Sequence, residues 1–570
     1  HGPTLPPCAR LAVAPRMLTR LKVNGFMNLD HVDVHFGPFT CIAGPNGVGK
    51  SNLFDAIMFL SALAARPLMD AAQQVRGGVS RLGDVASLFR RSGDQTTDRM
   101  DFEVELLIPA VGEDALGQPA EASMTFLRYE LGLRYRSDDA LRAMGTLEVA
   151  HESMVHINRS EAKASLPFHH KKAWRESVVR GRRTSPYIST EAEEDGLPIV
   201  ALHADSQGGQ SGGRPRRVPA ASLPRTMLSS VSNAAEHRTL VLARQEMVGW
   251  TQLQLEPSAL RAPDGFNTPS TIGQSGAHLP AALYSLARAA DRERPGSSVD
   301  VYARVANRLS ELVENVRRIT VDVDERRQLL SIVVTDRHGT DHVASALSDG
   351  TLRFLALTVM EADPRSHRLL CLEEPENGMH PMRIPAVIRL LRDLAVDVDL
   401  PVDEDNPLRQ VIINTHSPTV VACVADSALL VAQEVVTSHG TAEESRLTIR
   451  HLSNTWRASI EPVVTRGDLL AYLNPFVAIV AEGANDRLEP STRVLQRPDL
   501  QMPLRFETAA PTEGPCRPRS SLTAHPTRRW YLSCAGCSDR SRPSPSSFTG
   551  AIYEGCRSLP RVSWSGSRAL

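Results

Sequence analysis

Gly44-Pro45-Asn46-Gly47-Val48-Gly49-Lys50-Ser51 decides how this 570-residue chain is read. Residues 32–43, ahead of it, are β-branched and apolar and predict a strand feeding a loop. Residues 52–60, behind it, predict a helix beginning at Asn52, whose N-terminal dipole favours an anion. Between them, Gly44, Gly47 and Gly49 let the backbone curl and aim its N–H groups inward, as a phosphate cradle requires. Pro45, Asn46 and Val48 complete the loop. Lys50 is placed to reach β- and γ-phosphates, and the Ser51 hydroxyl to ligate Mg²⁺. Lysine is scarce here, found only at 22, 50, 163, 171 and 172, and a compact ammonium at this spot suits a phosphate.

Far downstream, Leu369-Leu370-Cys371-Leu372-Glu373-Glu374-Pro375 reads as a buried parallel strand ending in two acids. Glu373 is the expected Mg²⁺ acid, and Glu374 the group that polarises an attacking water. Phosphoryl transfer needs positioning and charge neutralisation, which two adjacent acids supply. Leu347-Ser348-Asp349-Gly350-Thr351 precedes an apolar helix over 354–360. Ser348 is its expected N-cap, and Gly350 leaves backbone N–H groups open to phosphate. Val411-Ile412-Ile413-Asn414-Thr415-His416-Ser417-Pro418 reads as a strand ending in a polar turn. His416 is the residue expected to hydrogen-bond a γ-phosphate.

The order GPNGVGKS, LSDGT, LEEPE, NTHSP resembles the ABC-type ATPase heads of the SMC/RecF-like branch, and most of all its compact bacterial "AAA family ATPase" members, which include the OLD-family nucleases. Residues 21–29 look like that family's first strand and turn. The likeness covers roughly 17–110 and 335–435. It implies an α/β fold, a P-loop NTPase of ABC/SMC-head type split by a large α+β insertion. It places Gly44 to Ser51 as Walker A, Leu347 to Thr351 as the signature, Glu373 and Glu374 as the Walker B acid and catalytic glutamate, residues 377–381 as the D-loop and His416 as the switch histidine. It also implies a homodimer with two ATP molecules sandwiched between heads, Ser348, Asp349 and Gly350 of one facing the P-loop of the other. A closed two-fold pair is the commonest oligomer in any case. The Q-loop glutamine is not identifiable; Gln95, in the polar turn 91–96, is a weak match.

Composition sets bounds. The net charge is −1 and 42% of residues are hydrophobic, ample for two or three domains. A neutral balance confines any double-stranded DNA contact to local patches. No apolar run spans a bilayer and no secretory signal is evident, so a cytoplasmic protein with no membrane partner is expected. Cys41 and Cys371 read as small buried hydrophobes, and Cys534-Ala535-Gly536-Cys537 as a lone pair without metal spacing.

Residues 111–334 read as a continuing β-lobe with a helical insertion. Strands are expected over 102–108 and 125–135, helices over 238–250, 281–288 and 298–316, and a strand pair over 320–323 and 329–335. No sustained heptad predicts a long coiled-coil arm. A flexible loop falls near 205–220. His169, His170, Lys171, Lys172, Arg175, Arg180, Arg182 and Arg183 form a cationic cluster suited to DNA phosphates, with Trp174 placed to stack on a base. Glu191, Glu193, Glu194 and Asp195 supply balancing charge nearby.

The ends read as foreign to the fold: 1–16 as a non-native or disordered leader, 488–570 as a Ser/Pro/Arg-rich tail, disordered or out of frame. Residues 436–487 include a Toprim-like opening at 476–486 with Glu482, but no later D-x-D pair. The expected activity is ATP binding and hydrolysis with ATP-driven dimerisation, in DNA repair, chromosome maintenance or anti-phage defence, with a separate nuclease as a possible partner. An OLD-type nuclease with a truncated Toprim domain is the alternative. A transporter ATPase subunit is disfavoured by the long insertion, and a non-catalytic clamp by Glu374 and His416.

Overall fold

The structure, a computed structural model, describes residues 17–469 apart from 76–84, 93–94, 137–144, 193–196, 206–213, 364–368, 404, 440–441, 459–462, 466 and 468. The leader, residues 206–213 of the 205–220 loop, Glu193, Glu194, Asp195, the Toprim-like stretch with Glu482, the tail and the Cys534/Cys537 pair lie outside the described residues.

A seven-stranded sheet positions the site. Its order is Trp250–Leu253, Leu369–Glu373, Gln410–Thr415, β3 (Phe39–Ala43), Leu429–His439, Ala442–Leu452 and Val463–Val464. The first five strands are parallel to one another, and Ala442–Leu452 pairs antiparallel with the fifth. Alternate residues of these strands enter two different cores: Ile42, Leu369, Cys371 and Ile412 pack on one face, and Cys41, Leu370, Leu372, Val411 and Ile413 on the other. That two-sided burial is why the strands read as unbroken apolar runs. One face is covered by α1 (Lys50–Ala65). The helices Asp349–Ala362 and Ile384–Leu394 cover the other.

The segment 32–43 forms two strands rather than one. β1 (Met17–Asn24) and β2 (Val32–His35) pair in an eight-stranded antiparallel sheet, while β3 lies in the parallel sheet. Gly37-Pro38 divides them, since proline has no N–H to continue a ladder. Arg99–Leu107 and Phe126–Arg136 extend the antiparallel sheet. Its charged rungs neutralise one another, as in Arg20–Asp33 at 2.6 Å and Lys22–Glu103 at 2.9 Å.

The middle segment departs from its expected helices in two places. The first runs Ala234–Val248 and stops at Gly249, so Trp250 opens a strand of the parallel sheet. Another ends at Ser310, short of 316, because Val316 starts the strand Val316–Asp324 that pairs with Leu329–Asp336. The same segment grips the far end of α1. Thr226 Oγ1 donates to the Leu63 carbonyl at 3.2 Å and Arg244 Nε to the Ala64 carbonyl at 2.9 Å. These bonds satisfy carbonyls that a helix end leaves without partners.

Candidate nucleotide site at the strand ends

Register builds the site. Glu373 lies opposite Asn414, and Thr415 opposite Ala43. The residues that follow, Glu374, His416 and Gly44, therefore emerge side by side at the carboxyl edge of the sheet, where ligands of open α/β sheets bind.

The loop from Gly44 to Gly49 turns through left-handed backbone at two of its glycines. Gly47 has φ +82° with open space where a Cβ would stand, and Gly49 has φ +100° at the N-cap of α1. A Cβ on Gly49 would meet the Asn28 side chain at 2.2 Å. Asn28, not singled out from the sequence as a site residue, braces the loop: its Nδ2 donates to the Val48 carbonyl at 3.1 Å, and Asn52 Nδ2 donates to its Oδ1 at 2.6 Å. The helix starts at Lys50, two residues earlier than expected. Lys50 Nζ is buried and donates to the carbonyls of Gly44 at 2.7 Å and Pro45 at 2.6 Å. Burial lowers its pKa, while Glu374, Glu373 and Glu376 oppose that shift.

Glu373 ends its strand, and its Oε1 accepts a 3.1 Å bond from Gln252 Nε2. Gln252 sits on Trp250–Leu253, the strand beside the acids. Gln95 lies instead on a two-residue hairpin strand, Gln95–Thr96, outside the parallel sheet. The glutamine at the acids is thus Gln252. Only strand pairing reveals it, because no local motif surrounds it.

Glu374 has φ +44°, a left-handed backbone that costs a non-glycine residue about 1–2 kcal/mol. Its N–H bonds the Asn414 carbonyl and Oδ1, both at 3.1 Å. Its Oε1 lies 2.8 Å from His416 Nδ1.

Ser348 caps the helix Asp349–Ala362, accepting from the Thr351 N–H at 3.3 Å. Arg261, also missed, donates to the Leu347 carbonyl at 3.0 Å and pairs with Asp349 at 2.5 Å. Gly350 is buried against Met379: a Cβ there would stand 3.3 Å from Met379 Cγ. Ser348 and Asp349 are exposed, and among the described residues their side-chain bonds go to Thr351 and Arg261, not to the P-loop.

The residues fit a magnesium nucleotide. The cradle holds a buried ammonium beside glycine backbone, and Ser51 starts the helix next to it. Among the described residues no group of three or more His, Cys, Asp or Glu gathers around a metal. Ser51 and Glu373 would hold Mg²⁺ together with phosphate oxygens, the manner in which this ion usually binds.

The cationic cluster comes apart. Trp174 is fully buried against Phe168, with ring centroids 5.6 Å apart, and has no face for a base. Arg183 is buried in an ion pair with Asp205 at 2.9 Å. Arg175 Nη1 bonds His170 Nε2 at 3.1 Å. Lys171, Lys172, Arg180 and Arg182 stay exposed, with Lys171 4.0 Å from Asp399 and Lys172 3.7 Å from Glu176.

Fold and site define a P-loop NTPase. The particular likeness is to SMC/RecF-like ABC-type ATPases. Residues 152–422 match a model described as AAA domain, putative AbiEii toxin, Type IV TA system. Residues 20–97 match a second AAA domain model. A DNA replication and repair protein RecF from Paenarthrobacter aurescens (strain TC1) is 36% identical over 81 residues, covering 14% of this chain and 20% of that protein. The match thus spans about a fifth of the length of that relative. Among solved structures, the Smc head domain with an extended coiled coil bound to the C-terminal domain of ScpA, from Pyrococcus furiosus, aligns at 11% identity over 76% of this chain and 96% of that one, with TM-score 0.36. The SMC head domain from Thermotoga maritima aligns at 13% over 76% and 98%, with TM-score 0.30. No helix among the described residues is long and apolar enough to cross a membrane.

Proposed function

We propose that this chain binds ATP with Mg²⁺ and hydrolyses it, and that nucleotide binding joins two copies head to head. The observation that carries the reading is the contact between His416 and Glu374 at the sheet edge, beside the buried Lys50. In this reading Gly44 to Ser51 and Asn52 cradle the phosphates, Ser51 and Glu373 hold Mg²⁺, and Gln252 orients Glu373. Bound Mg²⁺ would neutralise phosphate charge. Glu374 takes a proton from the attacking water, and His416 holds Glu374 in place and faces the γ-phosphate. Exposed Ser348 and Asp349, with Gly350 behind them, serve the partner's nucleotide.

Double-stranded DNA is the proposed effector, because the relative it matches is named for DNA replication and repair. Repair, chromosome maintenance and phage defence are the processes in view, acting in the cytoplasm and with a separate nuclease as a possible partner. Steady-state ATP turnover by the full chain, with and without double-stranded DNA and beside Glu374→Gln, tests this. Turnover raised by DNA and lost in the variant is the expected result. Turnover indifferent to DNA would move the search to a protein partner, and none at all would end the ATPase reading.

A further inference from the structure

Behind the two acids the sheet edge buries a third carboxylate, for which phosphate and metal binding give no reason. Glu376 is 9% exposed. Its Oε1 accepts a short hydrogen bond from Thr415 Oγ1, and its Oε2 is buried with no partner from any other residue among the described residues. Burial pushes its carboxyl above the usual carboxylate range, against the Thr415 bond. A buried carboxyl with one oxygen unsatisfied is costly, so packing alone does not explain it.

Thr415 is the point where the site's segments meet. Its carbonyl accepts the Gly44 N–H at 3.1 Å, fixing the first residue of the phosphate loop. Its hydroxyl accepts the Ser417 N–H at 2.9 Å while donating to Glu376, so the bonds bracket His416 on both sides. On the other flank, the Glu376 carbonyl accepts the Met379 N–H at 3.0 Å. That bond shapes the turn packed on Gly350. The Glu376–Thr415 side-chain bond thereby joins two residues whose backbone carbonyls hold the first residue of the phosphate loop and the turn beneath the signature helix.

We propose that Glu376 is a positioning residue for hydrolysis: through the Thr415 hydroxyl it keeps the His416–Glu374 pair in register with the phosphate loop. This deepens the ATPase reading and rests on it. The bond should matter more to the reacting geometry than to nucleotide binding, since Lys50 and the loop N–H groups do not depend on it.

The test uses the full chain and four single variants, Glu376→Ala, Glu376→Gln, Thr415→Val and Thr415→Ser, with the double variant Glu376→Ala/Thr415→Val. Binding of a fluorescent ATP analogue, kcat, KM, melting temperature and hydrogen exchange over 414–418 are measured. Thr415→Val and Glu376→Ala are expected to lower kcat about tenfold and speed exchange over 414–418, with analogue affinity within about threefold of wild type. Thr415→Ser and Glu376→Gln, which keep the donor and the acceptor, restore kcat to within about threefold. The double variant is no slower than the slower single, because one shared bond is lost only once. Unchanged kcat in Thr415→Val overturns the proposal, even if Glu376→Ala fails to fold. So does a parallel fall of kcat, affinity and melting temperature in all four single variants, which marks a merely structural residue. A wild type that binds the analogue without hydrolysing ATP overturns the ATPase reading itself, a result separable from normal turnover in the variants.

Discussion

Nδ1 of His416 lies 2.8 Å from Oε1 of Glu374, although 42 positions separate them in the chain. Parallel pairing brings them together: Asn414 stands opposite Glu373, so the residues just beyond the two strands converge. In the proposed arrangement the Glu374 oxygen accepts from Nδ1–H, which would leave Nε2 for the nucleotide.

Glu374→Gln keeps shape and removes the carboxylate proposed as the base. It should bind a labelled ATP analogue like wild type, lose at least about a hundredfold in turnover, and accumulate dimers with ATP. Sedimentation velocity checks the last point, and a species that stays monomeric with ATP would reject the sandwiched pair.

Lys50→Ala removes the buried ammonium now held by the Gly44 and Pro45 carbonyls. Analogue affinity should fall about a hundredfold, in keeping with the loss of a charge-assisted contact of about 3 kcal/mol. Equal binding by fluorescence titration would mean that the loop is not the phosphate site.

Gln252→Ala deletes the donor to Glu373. The Mg²⁺ concentration giving half-maximal turnover should rise about tenfold, as expected on losing a partner of the proposed metal ligand. A Mg²⁺ titration superimposed on wild type would assign Gln252 no part in the site.

Arg183 and the exposed lysines should separate cleanly. Arg183→Ala removes the cation from the buried Asp205 carboxylate, which keeps its bonds from Ser123 and Thr239, and should destabilise by about 3 kcal/mol, seen in urea unfolding. Replacing Lys171, Lys172 and Arg182 together should leave stability within about 0.5 kcal/mol per site and flatten the salt dependence of DNA binding. An unchanged salt slope would return that surface to plain solvation.

Glu152 offers a pH test. Buried completely, it accepts the N–H groups of Met227 at 2.6 Å and Leu228 at 2.9 Å, and burial pushes its carboxyl up to about 7 from an ordinary 4.5. The folded state then holds a proton that the unfolded chain has lost, so this stabilisation is full below pH 4.5 and fades as pH rises through 7. The difference in unfolding free energy between wild type and Glu152→Gln should change across that window. A pH-independent difference would refute the assignment.

Much of the site was legible because its motifs are local. Phosphate cradling is done by consecutive residues, so Gly44 to Ser51 announces loop, helix and lysine together. Strand ends carry Glu373, Glu374 and His416 for the same reason. Gln252, Asn28, Arg261 and the Thr415–Glu376 bond were not legible, since each acts across strands or helices distant in sequence. Trp174 misled: an aromatic among cations reads as a stacking platform, and only the core around Phe168 shows it to be packing.

The sequence by itself determined the class of fold, the phosphate loop and the acids that end a buried strand, because these depend on hydrophobic periodicity and on residues adjacent in the chain. Tertiary structure alone decided which glutamine meets the acid, which arginines are spent on buried carboxylates and how the middle segment joins the head. Those outcomes are set by strand order and register, which arise from packing two cores on one sheet and leave no signature in any single stretch of residues.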